Sequence, residues 1–284
     1  MLRRLNTIAD YRDVYAGFTI MVVLVAFLHS PASAAPVAVR FPEGATHGFL
    51  LVRSLAGEII GQGEVTQRVK EGGLVESQLV FNFNDGSLHD EKVAFSQKGV
   101  FTLISYHLIQ RGPSFPEQVD VFIDRGTGEY RVRSKVGADE KEEVRTGTFD
   151  LPNDVYNGMV VTMMLNLPKG ASEAVHILAF RPEPEVIKVD ILPTDQRTVR
   201  IGGLSRKAVQ YVFKPDIGMI QKWLGIIIGE LPDQFHYHCW VLEDKIPSFV
   251  HYEGPLQLMG PIVQIELLSP GLLPKPQLAK RTSR

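Results

Sequence analysis

Short runs of strand-forming residues, separated by turn residues, constrain the fold of this chain more than any other feature. From Gly48 onward the chain falls into short runs that glycine, asparagine and aspartate separate. This spacing predicts an antiparallel meander in which consecutive strands pair. The predicted strands span residues 48–55, 58–71, 73–84, 87–97, 99–110, 119–124, 128–136, 143–149, 174–180, 186–195, 197–202, 208–214, 234–242, 248–254 and 261–267.

The joins between several of these runs carry the residues that tight hairpins need. They are Gly72-Gly73, Asn84-Asp85-Gly86 and Arg125-Gly126-Thr127-Gly128. Glycine and asparagine adopt positive φ angles at little cost, and two-residue hairpin turns require such angles. The sequence therefore predicts hairpins at these three places.

One segment breaks the strand pattern. Between Asp150 and Leu167 the apolar residues recur at steps of three and four, which predicts a helix near residues 153–167 with one broad apolar face. Asn153 or Asp154 can cap its start, and Pro168 follows its end. A lone apolar helix among strands must be buried against the sheet, because its stripe would otherwise face water.

The apolar face of this predicted helix is rich in methionine. Flexible thioether side chains make such a face deformable. One interpretation is a filled core, and the other is the lining of a pocket for an apolar ligand. The candidate ligand contacts on this helix are Tyr156, Met159, Met163 and Met164.

A second apolar segment runs from Asp216 to Gly229. Its glycines disfavour a regular helix and permit bends, so a short helix leading into a buried strand and a lid both fit the pattern. Trp223 and Ile227 in this segment are the candidate contacts near the mouth of the predicted pocket.

The first 34 residues have the pattern of a secretory signal peptide. Three arginines, the last of them Arg12, precede an uncharged run over residues 16–28, and Ala32-Ser33-Ala34 forms a small-x-small cleavage site. The run is shorter than the roughly 20 apolar residues of a membrane-spanning helix. We expect cleavage near Ala34 and a periplasmic or secreted protein; an uncleaved inner-membrane anchor formed by residues 16–28 is the alternative.

Charge and cysteine content argue against several classes of function. The 284 residues include 30 Lys and Arg and 32 Asp and Glu, a net charge of −2, whereas nucleic-acid-binding domains usually carry a basic surplus. Cys239 is the single cysteine, which leaves no intrachain disulfide and no cysteine-based metal cluster. The sequence contains neither a glycine-rich phosphate loop before a helix nor a Gly-x-Ser-x-Gly elbow. It therefore favours binding over catalysis, without a cofactor and without a nucleic-acid partner.

A group of histidines provides the candidate metal site. His236 and His238 are two residues apart in a predicted strand and so share one face, opposite a more apolar face that includes Cys239. An even hairpin register would add His251 and Glu253 to that face. Three imidazoles and a carboxylate can bind zinc or another divalent ion. Histidines on a polar sheet face, without metal, are the other interpretation.

The C-terminal part carries an ordered set of short motifs. They are Leu231-Pro232-Asp233, Trp240, Ile246-Pro247-Ser248-Phe249-Val250, Tyr252-Glu253-Gly254-Pro255-Leu256, Gly260-Pro261-Ile262 and Ile265-Glu266. With these motifs the chain resembles a group of uncharacterised bacterial secreted proteins over roughly residues 45–268. The resemblance implies a strongly curved antiparallel sheet, an open half-barrel, wrapped around one apolar helix and similar to the LolA and LolB lipoprotein carriers. It implies no known activity.

These patterns together predict a mainly β (α+β) domain over residues 46–268. An extended segment at residues 35–45 leads into it, and a disordered basic tail at residues 269–284 follows it. We expect a periplasmic protein, not an enzyme, that binds a lipid or another apolar molecule in the concave face of the sheet. Its contact with the membrane would be transient or made through an uncleaved signal segment. The alternatives are an interaction module of the cell envelope with a protein partner and, as a lesser one, a metal-dependent hydrolase.

Overall fold

Fourteen β-strands and one short α-helix make up the part of the chain that the computed structural model describes, residues 36–137, 141–180, 183–201, 203–216, 237–256 and 262–268. The helix, α1, spans Val160–Asn166, and a 3-10 turn spans Glu71–Gly73. The strands are β1 (Thr46–Arg53), β2 (Ile59–Val69), β3 (Leu74–Phe83), β4 (Leu88–Lys98), β5 (Val100–Arg111), β6 (Glu117–Asp124), β7 (Glu129–Val136), β8 (Glu143–Thr148), β9 (Glu173–Phe180), β10 (Pro184–Ile201), β11 (Leu204–Pro215), β12 (Tyr237–Leu242), β13 (Ser248–Pro255) and β14 (Ile262–Leu267).

All of these strands belong to one antiparallel sheet. Its order is β8-β7-β6-β5-β4-β3-β2-β1-β14-β13-β12-β11-β10-β9. Strands that follow one another in the chain are neighbours, and β1 pairs with β14 in the middle of the sheet. The two edge strands, β8 and β9, are consecutive in the chain. The connection that contains α1 therefore carries the chain from one edge of the sheet to the other.

The sheet is curved and unclosed, and α1 packs in its concave face. The main hydrophobic core joins Phe101 and Val121 of one half of the sheet with Val189 and Val209 of the other half, together with Met163 of α1. Strands so far apart in the sheet order share one core only when the sheet bends around it. The prediction of a mainly β, antiparallel and curved architecture with one helix is confirmed.

The hairpin turns follow the predicted chemistry. Gly72 and Gly73 have φ angles of 72° and 75°, and Gly86 has a φ of 86°. The Asp85 carboxylate accepts a hydrogen bond from the backbone N–H of Ser87 at 2.9 Å, which stabilises the second of these turns. The prediction of hairpins at these positions is confirmed.

One pair of predicted strands is a single strand. The sequence pattern separates residues 186–195 from residues 197–202, whereas the structure has one continuous strand, β10. A register shift against β11 lies between Pro193 and Asp195, and Thr194 is the extra residue. Such a β-bulge accommodates a proline without ending the strand, so the break in the pattern marks a bulge and not a turn.

The helix is shorter than the prediction of residues 153–167. Gly158 has a φ of 68°, in the left-handed region, and separates the preceding chain from α1. Val155 and Tyr156 are fully buried, yet they lie in non-helical chain. The buried residues of this irregular segment recur at the same spacing as residues on one face of a helix. The sequence pattern therefore predicted a helix that is too long.

The segment before α1 runs along the edge strand β9. The Tyr156 N–H donates to the His176 carbonyl at 3.0 Å, and the His176 N–H donates to the Asp154 carbonyl at 3.1 Å. The Asn157 amide donates to the Leu178 carbonyl and accepts from its N–H, at 2.9 and 2.6 Å. Backbone groups that would otherwise be exposed at this sheet edge are thereby satisfied.

The predicted flanking segments are only partly described. The signal peptide (residues 1–34), the tail (residues 269–284) and nearly all of the second apolar segment, with Trp223 and Ile227, lie outside the described residues. The extended segment at residues 35–45 is described from residue 36, and it forms a bridge to β5 through Ala38. In the described part of the chain, no helix has the length and apolar character needed to cross a membrane.

Candidate functional site

A cavity of about 330 Å³ lies between the two halves of the curved sheet. Its walls come from β5 and β6, from α1 and the chain before it, and from β9 to β13. Its volume falls at the small end of the range of small-molecule pockets. Typical wall residues are Leu108, Val119, Val161, Ile177, Ile187 and Phe213.

Strand alternation places apolar and polar residues on the wall of this cavity. Tyr106, Leu108 and Gln110 are two residues apart in β5 and so face the cavity together. In β6 the residues Glu117 and Val119 line it in the same way. Because Gln110 pairs with Val119 in the register of these strands, Gln110 and Glu117 lie near the same end of the wall. The cavity is therefore apolar along its length, with polar groups at that end.

A buried pair of polar side chains, His89 and Gln110, stands at this end. The two residues are direct cross-strand partners in β4 and β5. The Gln110 amide nitrogen donates both to His89 Nδ1 and to the Leu256 carbonyl, each at 2.9 Å. An amide nitrogen only donates, so Nδ1 of the histidine accepts, and the proton of the neutral ring is on Nε2.

The remaining polar atoms of this pair are unpaired. His89 Nε2 and Gln110 Oε1 are buried and have no hydrogen-bond partner among the described residues. A buried donor or acceptor without a partner is unfavourable and uncommon in folded proteins. Burial also lowers the pKa of His89 to about 4, so the ring is neutral at pH 7.

The tyrosines around the cavity are uncharged hydrogen-bonding groups. The Tyr106 hydroxyl donates to Glu91 Oε1 at 2.8 Å, and the Tyr252 hydroxyl donates to the Pro255 carbonyl at 2.8 Å. Burial raises the pKa of Tyr106 and of Tyr252 well above the ordinary value, and raises the pKa of Tyr237 to about 12. Burial likewise raises the pKa of the Glu91 carboxyl. These shifts favour neutral side chains in the cavity wall.

The described residues that were predicted to contact a ligand all lie in the main core: Tyr156, Met159, Met163 and Met164. None of them is more than 3% exposed. The cavity wall is formed here by their neighbours Asn157, Val160 and Val161. Contact between the first four residues and a ligand stays a prediction, as does the role of Trp223 and Ile227, which lie outside the described residues.

The candidate metal ligands are distributed over two strands, β12 and β13. His238 lies opposite Glu253 in their register, and its Nδ1 is 3.0 Å from the Gln210 amide nitrogen. His251 lies 3.6 Å from the Glu266 carboxylate. In the described ranges, no three His, Cys, Asp or Glu side chains form a group able to hold a metal ion. His236 lies outside these ranges, so a site that includes it stays a prediction.

Cys239 lies in the cavity wall as a buried free thiol. Burial raises the pKa of this thiol, and the nucleophilic thiolate is therefore disfavoured. The prediction of a buried cysteine on the apolar face of its strand is confirmed.

Sequence reasoning missed the polar groups in the cavity wall, Tyr106 and Gln110, and their hydrogen-bond partners behind it, Glu91 and His89. Their strands were predicted, and simple alternation places His89 and Glu91 on the same face as Val93. Polar residues that interrupt the apolar face of a predicted strand are thus the signal that marks this site.

No family model matches the chain, and no curated protein matches it. Among solved structures, the chain is similar to MucB in a crystal structure of MucB in complex with MucA(peri), with 10% sequence identity and a TM-score of 0.17. The match covers 80% of this chain and 87% of that chain. A likeness at this TM-score carries no argument about fold or function, and the resemblance to LolA-type carriers stays a prediction.

Proposed function

We propose that this protein binds a lipid or another apolar molecule in the cavity between the two halves of its sheet. The observation that carries the proposal is the cavity of about 330 Å³ whose walls are mostly aliphatic and aromatic side chains. Transfer of apolar surface from water into such a cavity is favourable by roughly 25 cal/mol per Å². Concave apolar pockets with a few polar groups are the usual form of small-molecule sites.

The position of the cavity in the fold supports this proposal. The wall joins β5 and β6 to β9–β13, so residues distant in the sheet order face one another across the space. The segment that carries Val160 and Val161 links the two sheet edges and forms part of the same wall.

The neutral polar groups favour binding over covalent chemistry. Cys239 and the cavity tyrosines have raised pKa values, so none of them is an activated nucleophile at neutral pH. His89 donates no hydrogen bond to a hydroxyl or thiol within the described residues. We therefore assign the site to reversible binding.

A cavity-filling variant tests the proposal. Ala179 lines the cavity, and Ala179→Trp would place an indole in it, whereas Val144 lies 47% exposed on the edge strand β8. The fluorescent probe N-phenyl-1-naphthylamine should bind the full chain and be displaced by long-chain lipids. We expect Ala179→Trp to weaken probe binding at least tenfold and the control Val144→Trp to leave it unchanged.

Equal probe binding in the two tryptophan variants would contradict the proposal. Such a result would place the probe on the surface or in another apolar site. Circular dichroism and thermal unfolding of both variants would show that the comparison is made between folded proteins.

We further propose that the chain is exported and works in the periplasm. The proposal rests on the signal-peptide pattern of residues 1–34. Mass spectrometry of the protein from its own cells should show a chain that begins at Ala35. A chain that begins at Met1 in the membrane fraction would favour the anchor at residues 16–28 instead.

A projecting hairpin favours protein binding as a second candidate function. β9 pairs with β10 only over Pro184–Ile191, and in the described part of the chain residues 192–201 pair with β11 alone. Unpaired backbone groups at a sheet edge can add a strand from another chain. Arg197 and Arg200 are exposed there, so an extended acidic segment is the complementary partner.

Site-specific crosslinking tests this second candidate. A photoreactive residue in place of Thr198 should crosslink one defined envelope protein in cells, and an additional Arg200→Pro substitution should reduce that product by removing a backbone donor that faces away from β11. The same photoreactive residue in place of Val144 provides the control. A product that survives Arg200→Pro, or that appears equally from residue 144, would argue against strand addition at this edge.

A further inference from the structure

The His89–Gln110 pair leaves one donor and one acceptor unused; Gln110 lines the cavity, and His89 lies behind it. Gln110 is 1% exposed and forms part of the cavity wall. Both hydrogens of its amide nitrogen are used, on His89 Nδ1 and on the Leu256 carbonyl. What remains is Gln110 Oε1 as an acceptor and the His89 Nε2–H as a donor, both without a partner among the described residues.

One class of head group satisfies both atoms. A primary amide or a hydroxyl can donate to Gln110 Oε1 and accept from the His89 Nε2–H. A plain hydrocarbon leaves both atoms unsatisfied, and an ester supplies an acceptor but no donor. The pair therefore distinguishes between molecules that carry the same apolar chain.

The charged groups of the described cavity wall disfavour an anionic head group. Glu117 is the single charged residue in the described cavity wall, and neither lysine nor arginine lines it. Glu91 lies behind the wall, where its carboxyl accepts from the Tyr106 hydroxyl. A carboxylate or phosphate placed here would be desolvated without a cation from the described wall to pair with it.

We infer that the cavity takes an amphiphile with one apolar chain and an uncharged head group that both donates and accepts hydrogen bonds, and that Gln110 and His89 recognise this head group. The inference rests on the proposed function, because it specifies the ligand of the same cavity. Of the two residues, Gln110 lies in the wall itself, so it makes the first contact.

Three probes with one chain length test the inference. Decanamide offers a donor and an acceptor, methyl decanoate offers acceptors only, and decanoate is an anion at pH 7.5. Their affinities for the full chain are measured by displacement of N-phenyl-1-naphthylamine. We expect decanamide to bind about tenfold more tightly than either of the other two.

A matched pair of glutamine substitutions locates the effect. Gln110→Met keeps the length of the side chain and removes its hydrogen-bonding groups, and it should reduce the preference for decanamide to less than about twofold. Gln67 is also buried, and it donates to Glu43 and to the Gly44 carbonyl away from the cavity wall. Gln67→Met should retain the preference of the unsubstituted protein.

The outcomes separate the inference from the proposed function. If neither the fluorescent probe nor any decyl compound binds, both fail. If all three compounds bind with equal affinity, the cavity binds apolar chains and the inference alone is overturned, with a water molecule as the partner of the polar pair.

If Gln110→Met does not fold, a measurement on the unsubstituted chain still tests the inference. In ¹⁵N spectra, decanamide should shift the His89 Nε2 resonance and the Gln110 side-chain amide, and decanoate should not. Unchanged resonances at saturating decanamide would overturn the inference.

Discussion

The concave face of the sheet contains two hydrophobic cores that are built differently. The smaller core lies where β1 meets β14 and combines Phe81, Phe83 and Phe115 with aliphatic residues. Phe81 is fully buried, and its ring lies over Gly63 so closely that a Cβ there would overlap it. The larger core surrounds α1 and borders the cavity of about 330 Å³.

The difference follows from which strands supply each core. In the smaller core the strands are near neighbours in the sheet, and large rings fill the short distance between their side chains. In the larger core the two halves of the sheet face each other across a helix of only seven residues. A short helix cannot fill the whole interval, so the wide part of the fold retains space that a ligand can occupy.

Removal of an aromatic ring from each core should give the largest difference between the two cores in lost stability. Phe81→Ala should lower the free energy of unfolding by about 3–5 kcal/mol, because it leaves a void in a filled core. Phe180 lines the existing cavity, and Phe180→Ala should cost less than half as much, because its ring already borders empty space. Urea denaturation of both variants measures the difference. Equal losses would contradict the description of one core as filled and the other as open.

His89 lies at the border between the two cores, where the centroid of its ring is 5.6 Å from that of the Phe81 ring. Its titration should make the free energy of unfolding depend on pH. Its folded pKa of about 4 is below the ordinary value of 6.5, so the folded state resists protonation. The contribution of the neutral ring to the free energy of unfolding is fully present above pH 6.5 and is lost as the pH falls toward 4. The loss should reach about 2–3 kcal/mol at pH 4.5.

The His89→Gln variant provides the comparison for this pH effect. It retains an acceptor for Gln110 and has no titrating ring, so its unfolding free energy should fall less between pH 7.5 and pH 4.5. An unaltered slope in His89→Gln would show that the buried ring does not control this transition.

Addition of methyl groups to each core should give the smallest difference between the two cores in lost stability. Gly63→Ala should cost about 1–3 kcal/mol, because the new Cβ displaces the Phe81 ring and also meets the Val80 carbonyl at 3.0 Å. Ala179→Val points into the cavity, and it should cost less than about 1 kcal/mol. Thermal unfolding of the two variants ranks them; a costlier change at residue 179 would mean that the cavity wall is tightly packed.

Local patterns in the sequence were enough to predict the strands, apart from the single strand β10 that was predicted as two. Alternation within each run and glycines such as Gly72 and Gly86 at the turns act between adjacent residues, so they are readable without the fold. The start of α1 was predicted wrongly. The chain before it is held by the Asn157 side chain, which bonds to the backbone of Leu178 in β9, and a local pattern does not show a contact with a later strand.

The polar end of the cavity depends on register, which alternation alone does not give. His89 and Gln110 face each other because β4 and β5 pair with a bulge between Ala94 and Phe95. The third member of this group, the carbonyl of Leu256, is separated from Gln110 by 146 residues. Contacts of this range become visible only when the two halves of the sheet are placed around their common core.

Native mass spectrometry of the protein, purified from its own cells without detergent, tests the central claim most directly. The claim predicts an adduct that organic extraction releases and that is absent from Ala179→Trp purified in the same way. A neutral amphiphile in the extract would also fit the polar pair at Gln110. A parent chain that carries no adduct, and that takes up none from lipid added before measurement, would contradict the claim.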